Sequence, residues 1–374
     1  MSKGGLEDIV VGDSAICSID GAAGLLRYCG YSVGQLAEHS SFVETASLLW
    51  HGELPAKSEL DALETGLRSR RALSPEATFL LHGLATRANP MDALRTLVSA
   101  LSAEDATLEG NALADIELSK DRAIRLTAVL PTMVANYARV RDGKTLVPPD
   151  PELGLAANFL YMLRGELPSD EEAHIFDQCL VLHAEHGFNA STYAARVVAS
   201  TLTDMYAAIT GAIGSLKGPL HGGANTRVMR MLLEIGDVDK AEAWIEAALA
   251  SKRRVMGFGH RVYKTVDPRA VILKSLSERL ATIKNEPRWF ELSRAVERLV
   301  GERKGLVTNV DFYSASTYYY LGIDPGLFTP IFAMSRIAGW TAHVLEQFAN
   351  NRLVRPRANW IGPDPRDYVP LEQR

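Results

Sequence analysis

Cysteine is scarce in this sequence: its 374 residues include only Cys17, Cys29 and Cys179, and no two of them form a CxxC pair. Three thiols in a chain of this length do not make a disulfide framework, so the composition favours a reducing compartment. An excess of positive charge is missing as well, because 40 Lys and Arg stand against 45 Asp and Glu, for a net charge of −5. The composition therefore argues against a general binder of nucleic acid or of anionic membranes.

Long uncharged apolar runs are also missing. A membrane-spanning helix needs about 18–20 apolar residues, and the run that comes closest, 325–345, contains Arg336. The first ten residues carry two acidic side chains and no basic region followed by an apolar stretch, so we expect no secretory signal peptide. These absences predict a cytoplasmic protein that has no membrane partner.

What the sequence does contain is mostly helix signals. Its length and its 47% hydrophobic content predict two or three compact domains. An Asp-Gly step at 20–21 predicts a hairpin, a Ser-Pro pair at 74–75 and a capping box at 169–172 predict helix starts, and the apolar spacing over 239–255 predicts an amphipathic helix. Strands do not alternate with helices. The predicted fold class is mainly α, with a small β element near the N-terminus.

Among the nine histidines, His221 has unusual neighbours. It lies in GPLHGGAN (218–225), with glycines on both sides and a helix expected to begin just after it. Glycine lets a ligand approach the backbone, and a following helix N-terminus disfavours a protonated imidazole. A histidine kept neutral in this way can donate a hydrogen bond to a developing enolate. A histidine near a helix cap is the alternative interpretation.

His260 lies in a loop shaped by glycine and proline, GFGHRVYKTVDPR (257–269). With Arg261, Lys264 and Arg269 it places one imidazole, two guanidinium groups and one ammonium group within ten positions. Such a cluster suits a dicarboxylate or a phosphate, and a solvated basic loop is the alternative. The lone GxG, without a βαβ pattern, does not predict a dinucleotide site.

His183 and His186 share an HxxH spacing near the end of the helix predicted to follow the capping box. No further His or Cys ligands accompany the pair, so we expect no metal site. A polar helix end lining a cleft is the better interpretation. The remaining five histidines stand in ordinary sequence and are interpreted as surface or satisfied core residues.

Two further charged residues stand out. Asp311 precedes an aromatic helix, and its position alone is typical of a helix N-cap. Arg336 is the only permanently charged residue between Asp324 and Glu346. Burying a guanidinium without an anion is costly, so the sequence predicts a carboxylate partner for Arg336, from the protein or from a ligand.

Six motifs follow one another along the chain. They are HAEHGFNAST (183–192), GPLHGGAN (218–225), GFGHRVYKTVDPR (257–269), NVDFYSAS (309–316), FTPIFAMSRIAGWTAHVLEQ (328–347) and NNRLVRPRA (350–358). In this order and at this spacing they resemble the motifs of the citrate synthase family, including its 2-methylcitrate synthase branch. The chain length is similar to that of the compact dimeric bacterial and archaeal members.

The resemblance implies an acyltransferase reaction and a role for each matching residue. An aspartate, here Asp311, removes a methyl proton from an acyl thioester. His221 stabilises the resulting enol, and His260 polarises and protonates the ketone of oxaloacetate that the enol attacks. Hydrolysis of the thioester then completes the reaction. A carbon acid needs its base and its enolate stabiliser at the same moment, which agrees with these residue types.

The resemblance also implies which residues bind the substrates. The two carboxylates of oxaloacetate would be held by His186, Arg269, Arg336 and, from the partner subunit of a homodimer, Arg355, with Asn189 assisting. The coenzyme A phosphates point to Lys264, with weaker candidates at Arg303, Lys304 and the basic run 252–254. No cofactor is expected beyond the coenzyme A thioester, which is a substrate.

The family fold implies a helical protein of two domains. A large domain would comprise 1–220 and 327–374, the latter with a C-terminal arm, and a small domain, 221–326, would close over the substrate. Acetyl-CoA and propionyl-CoA remain open as the acyl donor, because both branches share the catalytic set. Two rival hypotheses are a catalytically silent homologue with a binding or regulatory role and, disfavoured by the acidic net charge, a nucleic-acid binder that uses 252–254.

Overall fold

The computed structural model describes residues 5–6, 9–109, 114–260 and 262–374. Arg261, grouped above with His260, therefore lies outside the described residues. Sixteen α-helices account for most of the described chain, which confirms the mainly α fold class. They are α1 Val33–His39, α2 Phe42–His51, α3 Lys57–Ser69, α4 Pro75–Ala85, α5 Pro90–Ala100, α6 Ile116–Arg141, α7 Leu155–Arg164, α8 Asp170–His183, α9 Ala190–Ala199, α10 Met205–Leu216, α11 Ala224–Ile235, α12 Ala241–Ala250, α13 Pro268–Ile283, α14 Arg288–Lys304, α15 Val310–Tyr320 and α16 Phe328–Ala349.

The β element is a small antiparallel sheet near the N-terminus. Its strands are β1 Cys17–Asp20, β2 Leu25–Tyr28 and β3 Tyr31–Ser32, in the order β1-β2-β3. Asp20 pairs with Leu25 at the end of the first hairpin, and its Oδ1 accepts hydrogen bonds from the backbone N–H groups of Ala22 and Ala23. The predicted hairpin is confirmed, and the aspartate shapes its turn.

Several helix starts are where the sequence predicts them. Ser74 caps α4 with Pro75 in the first turn, and Ser169 and Glu172 form the capping box of α8. The two predicted helix ends are wrong. Helix α12 ends at Ala250 rather than near Val255, because Lys252 adopts a left-handed conformation with φ of 55° and ends the helix.

Helix α8 ends at His183, so His186 lies beyond the helix rather than near its end. The cause is a tertiary contact. The carbonyl of Ala184 accepts a hydrogen bond from the backbone N–H of Gly339 in α16 instead of continuing the helix. The loop that follows carries His186 and leads into α9.

Two groups of helices position the site. The nearly fully buried α16 packs against α2, α6, α8, α9 and α10, and it carries Arg336. Helices α11, α13, α14 and α15 pack on one another, with α12 against α14, and these elements carry Asp311 and Arg269. In the described part of the chain, no helix combines the length and apolar character that crossing a bilayer requires.

Candidate active site

His221 lies in the turn between α10 and α11, and a close backbone approach shapes that turn. A Cβ atom at Gly222 would lie 2.1 Å from the carbonyl oxygen of Leu216, so no side chain fits beside the histidine. The backbone N–H of Ser191 donates to Nε2 of His221 over 3.2 Å. Because an N–H can only donate, Nε2 is the acceptor and the ring proton is on Nδ1. Burial, and after it Arg336, lowers the pKa of His221 to about 4, so the ring is neutral at pH 7.

His260 carries its proton on the other nitrogen. The backbone N–H groups of Val262 and Tyr263 point at its Nδ1 over 3.0 and 3.3 Å, which leaves the ring proton on Nε2. Burial, with Arg269 as the next cause, lowers the pKa of His260. The ring is therefore a neutral donor whose Nε2–H is available to an acceptor such as a carbonyl oxygen.

His186 lies against the His260 loop. Its ring centroid is 5.3 Å from that of His260 and 5.6 Å from that of Tyr263, and its Nε2 lies 3.1 Å from the Tyr263 hydroxyl. Burial, followed by Arg269 and Arg336, holds the pKa of His186 well below its ordinary value. The loop after α8 and the loop before α13 thus bring two neutral histidines together.

Arg269 has a carboxylate partner within the protein. Its Nε and Nη2 donate to the two carboxylate oxygens of Asp267 over 3.0 and 2.8 Å, and both side chains are buried. Burial alone would raise the pKa of Asp267, but Arg269 holds it below its ordinary value. Asp267 also accepts a hydrogen bond from the backbone N–H of Val310 over 3.2 Å. Nη1 of Arg269 has no hydrogen-bond partner among the described residues.

Asp311 lies in the first turn of α15. The N-cap of that helix is Asn309, whose side chain accepts from the backbone N–H of Asp311, so the N-cap interpretation of Asp311 is wrong. Burial raises the pKa of Asp311 to about 6, while Arg269 opposes the rise and Asp267 adds to it. The carboxyl group is therefore a stronger base than an ordinary aspartate and still mostly ionised at pH 7.

Arg336 is buried without an ion pair. Its Nε donates to the carbonyl of His183 over 2.8 Å, and its guanidinium lies 4.6 Å from the ring centroid of Phe332. Among the residues that the structure describes, no carboxylate oxygen forms an ion pair within 4.0 Å of its nitrogens, and its two terminal nitrogens are free for a ligand. Burial lowers the pKa of Arg336, and Glu185 is the largest influence against that change.

One basic centre links these side chains. Arg269, Arg336 or both contribute to the pKa shifts of His186, His221, His260 and Asp311. Neutral donors, a raised carboxyl pKa and free guanidinium donors therefore share one buried region.

A family model described as the citrate synthase C-terminal domain matches residues 5–357.

The chain belongs to the citrate synthase family. Its members include the citrate synthase of Haloferax volcanii, 50% identical over 374 residues that cover 100% of this chain and 99% of that protein. A 2-methylcitrate synthase of Mycobacterium tuberculosis is 44% identical, with coverage of 97% and 91%. The citrate synthase of Thermoplasma acidophilum, solved as a ternary complex with carboxymethyl coenzyme A and oxaloacetate, has a TM-score of 0.92 at 32% identity, covering 99% of this chain and 98% of that one. Citrate synthases are acyltransferases.

Asn189, which the resemblance to citrate synthases assigned to the substrate, is occupied as a helix cap. Its Oδ1 accepts from the backbone N–H groups of Ser191 and Thr192 at the start of α9. Both hydrogens of its Nδ2 are used as well, toward the carbonyl of Gly187 and the hydroxyl of Thr192. The structure thus gives Asn189 the task of holding Ser191, the partner of His221, and leaves it no free donor for oxaloacetate.

The basic residues assigned to coenzyme A differ in their availability. Lys264 and Lys304 are exposed, and neither ammonium group has a partner among the described residues. Arg303 instead pairs with Glu242 and Glu246 of α12. Arg253, in the basic run 252–254, pairs with Glu234 and lies over the Trp244 ring, as expected of a solvated surface group.

Arg355 lies outside this buried region. It is exposed on an extended C-terminal segment, where its Nη1 donates to the carbonyl of Pro356. It lines an open cleft of about 810 Å³ together with Phe188, Arg196 and residues 11–15.

Among the residues that the structure describes, no three His, Cys, Asp or Glu side chains form a group that could hold a metal ion.

Sequence reasoning missed that the N-terminal hairpin reaches the site. The carbonyl of Gly21 accepts a hydrogen bond from the backbone N–H of Lys264 over 2.8 Å. A Cβ atom at Gly21 would lie 2.2 Å from the carbonyl oxygen of Val262, so glycine is required there. The Asp-Gly step predicts the turn, but nothing in the sequence indicates that the turn supports the His260 loop.

Proposed function

We propose that this protein is a citrate synthase of the tricarboxylic acid cycle, which condenses acetyl-CoA with oxaloacetate and water to give citrate and coenzyme A. The observation that carries the proposal is the placement of backbone N–H groups on Nε2 of His221 and on Nδ1 of His260, in the same buried region as a carboxyl group whose pKa is raised. Enolisation and condensation need one donor for the thioester oxygen, a second for the ketone oxygen, and a base that removes the methyl proton.

Enolisation is assigned to Asp311 and His221. The Asp311 carboxylate removes a proton from the acetyl methyl group, and a pKa near 6 makes it basic enough for this while it is still ionised at pH 7. Nδ1–H of His221 donates to the thioester oxygen, where negative charge develops. Because the ring is neutral, it stabilises the developing negative charge through a hydrogen bond and supplies no full positive charge.

Condensation is assigned to His260. The enol carbon attacks the ketone carbon of oxaloacetate, and the ketone oxygen takes the proton from Nε2 of His260 as the new carbon–carbon bond forms. Water then attacks the thioester carbon of citryl-CoA, the carbon–sulfur bond breaks, and a proton of that water leaves with the coenzyme A thiol. The proton held by Asp311 passes to solvent, a solvent proton restores Nε2–H of His260, and citrate is released.

Oxaloacetate binding is assigned to the buried guanidinium groups. Arg336 has two terminal nitrogens without a partner in the described chain, which suits bidentate binding of a carboxylate. Arg269 offers Nη1 in addition to its pair with Asp267. His186, next to His260, would hold the same substrate as well, and fixed carboxylates orient the ketone for attack.

Domain closure and dimerisation complete the proposed enzyme. Residues 221–326 would form a small lobe that closes on 1–220 and 327–374, so that water is excluded until the carbon–carbon bond exists.

The C-terminal arm exposes Trp360, Ile361, Tyr368 and Leu371, which fits packing against a second copy of the chain. Arg355, at the base of this arm, would then reach the partner subunit's oxaloacetate. Lys264, and after it Lys304, would bind the phosphates of coenzyme A in a cytoplasmic enzyme without a further cofactor.

Thiol release tests the proposal. The full-length protein is assayed with oxaloacetate and either acetyl-CoA or propionyl-CoA, beside Asp311→Asn and a matched control, Asp239→Asn, which alters an exposed carboxylate. We expect thiol release that Asp311→Asn lowers by at least about a thousandfold and that Asp239→Asn leaves unchanged. The absence of thiol release with either acyl donor would refute the proposal that the protein is an enzyme of this type.

A second candidate, 2-methylcitrate synthase, is kept open by the similarity to the Mycobacterium tuberculosis protein. The same assay decides between them through the ratio of kcat/KM for the two acyl donors. A higher kcat/KM for propionyl-CoA would assign the chain to that branch.

A further inference from the structure

The segment 183–185 lies along one face of α16. The carbonyl of His183 accepts from Nε of Arg336 over 2.8 Å, and the carbonyl of Ala184 accepts from the backbone N–H of Gly339 over 3.2 Å. The side chain of Glu185 continues the series, with Oε1 3.1 Å from Nε2 of a histidine one turn further along α16, His343. Positions 336, 339 and 343 have helical spacing and share a face. The loop that carries His186 is therefore held against the helix that carries Arg336.

Glu185 is a fully buried acidic side chain to which the proposed mechanism gives no task. Its second carboxylate oxygen, Oε2, has no hydrogen-bond partner among the described residues. That oxygen rests on the backbone of Gly339: a Cβ atom there would lie 2.0 Å from it. Since Gly339 is three positions from Arg336, their Cα atoms differ by about 4.5 Å along the helix axis. The free oxygen is thus on the same helix face as Arg336, outside direct contact.

His343 is not the counter-ion of Glu185. Nη1 of Arg196 lies 3.1 Å from Nδ1 of His343 and also pairs with Glu346. A guanidinium can only donate, so Nδ1 must accept and the ring proton is on Nε2, facing Glu185. The ring is therefore neutral. It donates a hydrogen bond to Glu185 but supplies no positive charge.

Two buried charges on one helix face thus each lack a direct ionic partner within the described chain. We propose that Glu185 is a positioning residue that serves as the through-space counter-charge of Arg336, and that the substrate carboxylate competes with Glu185 for this cation. This inference rests on the proposed binding of oxaloacetate by Arg336. Because Glu185 stays outside contact distance, it compensates the guanidinium without occupying the terminal nitrogens that a ligand needs.

The competition has two consequences of opposite direction. Without a ligand, Glu185 lowers the cost of burying Arg336, so its charge stabilises the empty protein. With oxaloacetate bound, the same charge repels the incoming carboxylates and weakens binding. A merely structural role for Glu185 would instead make loss of the residue weaken both stability and binding.

Glu185→Gln separates these possibilities, since it removes the charge, keeps the size and leaves an amide oxygen to accept from His343. In the full-length protein, Tm is measured without ligand, and the Kd of oxaloacetate alone is measured by calorimetry. We expect a lower Tm and binding about three- to tenfold tighter than in the wild type. The matched control Glu346→Gln removes a carboxylate from the same network three turns from Arg336, and its Kd should stay within about twofold of the wild type.

Unchanged or weaker oxaloacetate binding by Glu185→Gln would overturn the inference. If this variant does not fold, the double variant Glu185→Gln with Arg336→Gln decides: a folded double variant supports the counter-charge pair, and an unfolded one contradicts it. A wild-type protein that does not bind oxaloacetate would refute the proposed function. The Tm values of Glu185→Gln, of Arg336→Gln and of the double variant would still show whether the two charges are coupled.

Discussion

Arg269 and Arg336 are two buried arginines that the protein treats in different ways. Arg269 has a carboxylate in direct contact, the two-point pair with Asp267. Arg336 has none within 4.0 Å in the described chain and is held by a carbonyl and by an aromatic ring. A buried cation can thus be fixed either by an ion pair or by neutral groups. Only the second way leaves both terminal nitrogens free for a ligand.

The two arrangements also differ in what they connect. Asp267 joins Arg269 to the backbone of Val310, one residue before Asp311, so the ion pair supports the helix start that carries the proposed base. The segment 183–185 joins Arg336 to the loop that carries His186. Each arginine is thus tied to a different part of the proposed machinery.

The largest expected effect comes from breaking the direct pair. Asp267→Asn leaves the Arg269 charge buried without its counter-ion and weakens the contact with Val310. We expect a loss of about 3–5 kcal/mol in the free energy of unfolding. Glu185→Gln, which removes a carboxylate outside contact distance, should cost only about 1–2 kcal/mol. Urea unfolding of both variants checks this, and equal losses would remove the distinction between the two arginines.

A smaller effect is expected where the chain rests on α16. Gly339→Ala would place a Cβ atom 2.5 Å from the carbonyl oxygen of Ala184 as well as against Glu185, so segment 183–185 must move away from the helix. We expect a loss of about 1–3 kcal/mol in stability and a higher KM for oxaloacetate. Gly34→Ala is the matched control, because a Cβ atom there would meet nothing closer than 4.0 Å, and it should leave KM unchanged. Gly322→Ala would be unsuitable as a control, since the φ of Gly322 is positive. An unchanged KM in Gly339→Ala would show that the segment does not position the site.

An effect of the opposite sign concerns Asp311 and pH. A carboxyl group whose folded-state pKa is raised, here to about 6, adds stability below its unfolded pKa and loses that contribution as pH rises through its folded pKa. Asp311→Asn should therefore raise stability at pH 7 by about 2–3 kcal/mol while abolishing turnover. Thermal unfolding at pH 4 and pH 7 measures the difference, and a variant less stable than the wild type at pH 7 would contradict it.

The acid limb of the pH–rate profile should respond differently to the two carboxylates, Asp267 and Glu185. In the wild type, kcat/KM should fall below pH 6 as Asp311 takes up a proton. Because Asp267 adds to the raised pKa of Asp311 and Glu185 is not among its causes, Glu185→Gln should keep the midpoint. Asp267→Asn should move it to lower pH. A midpoint that moves in Glu185→Gln alone would contradict this assignment.

Local signals in the sequence predicted much of the fold. The capping box at 169–172 and the Asp-Gly step at 20–21 act through contacts within a few residues, and both are confirmed. The end of α8 was wrong because Gly339, far along the chain, takes the carbonyl of Ala184. No local pattern contains that contact.

The candidate site shows the same division. The unusual Arg336 was visible as a single charge in an apolar run, and its lack of a carboxylate partner among the described residues agrees with the expectation of an anionic ligand. The occupation of Asn189 as a cap, the pair of Arg269 with Asp267 and the support of the His260 loop by Gly21 depend on which atoms meet in three dimensions. Residue type and spacing cannot specify them.

Calorimetric titration of oxaloacetate into Arg336→Gln, beside the wild type, tests most directly whether the unpaired guanidinium is the substrate's anchor. The wild type should bind oxaloacetate, and the variant should bind it at least about a hundredfold more weakly because a charge-assisted bidentate contact is lost. Equal affinity in the two proteins would contradict the proposed role of Arg336.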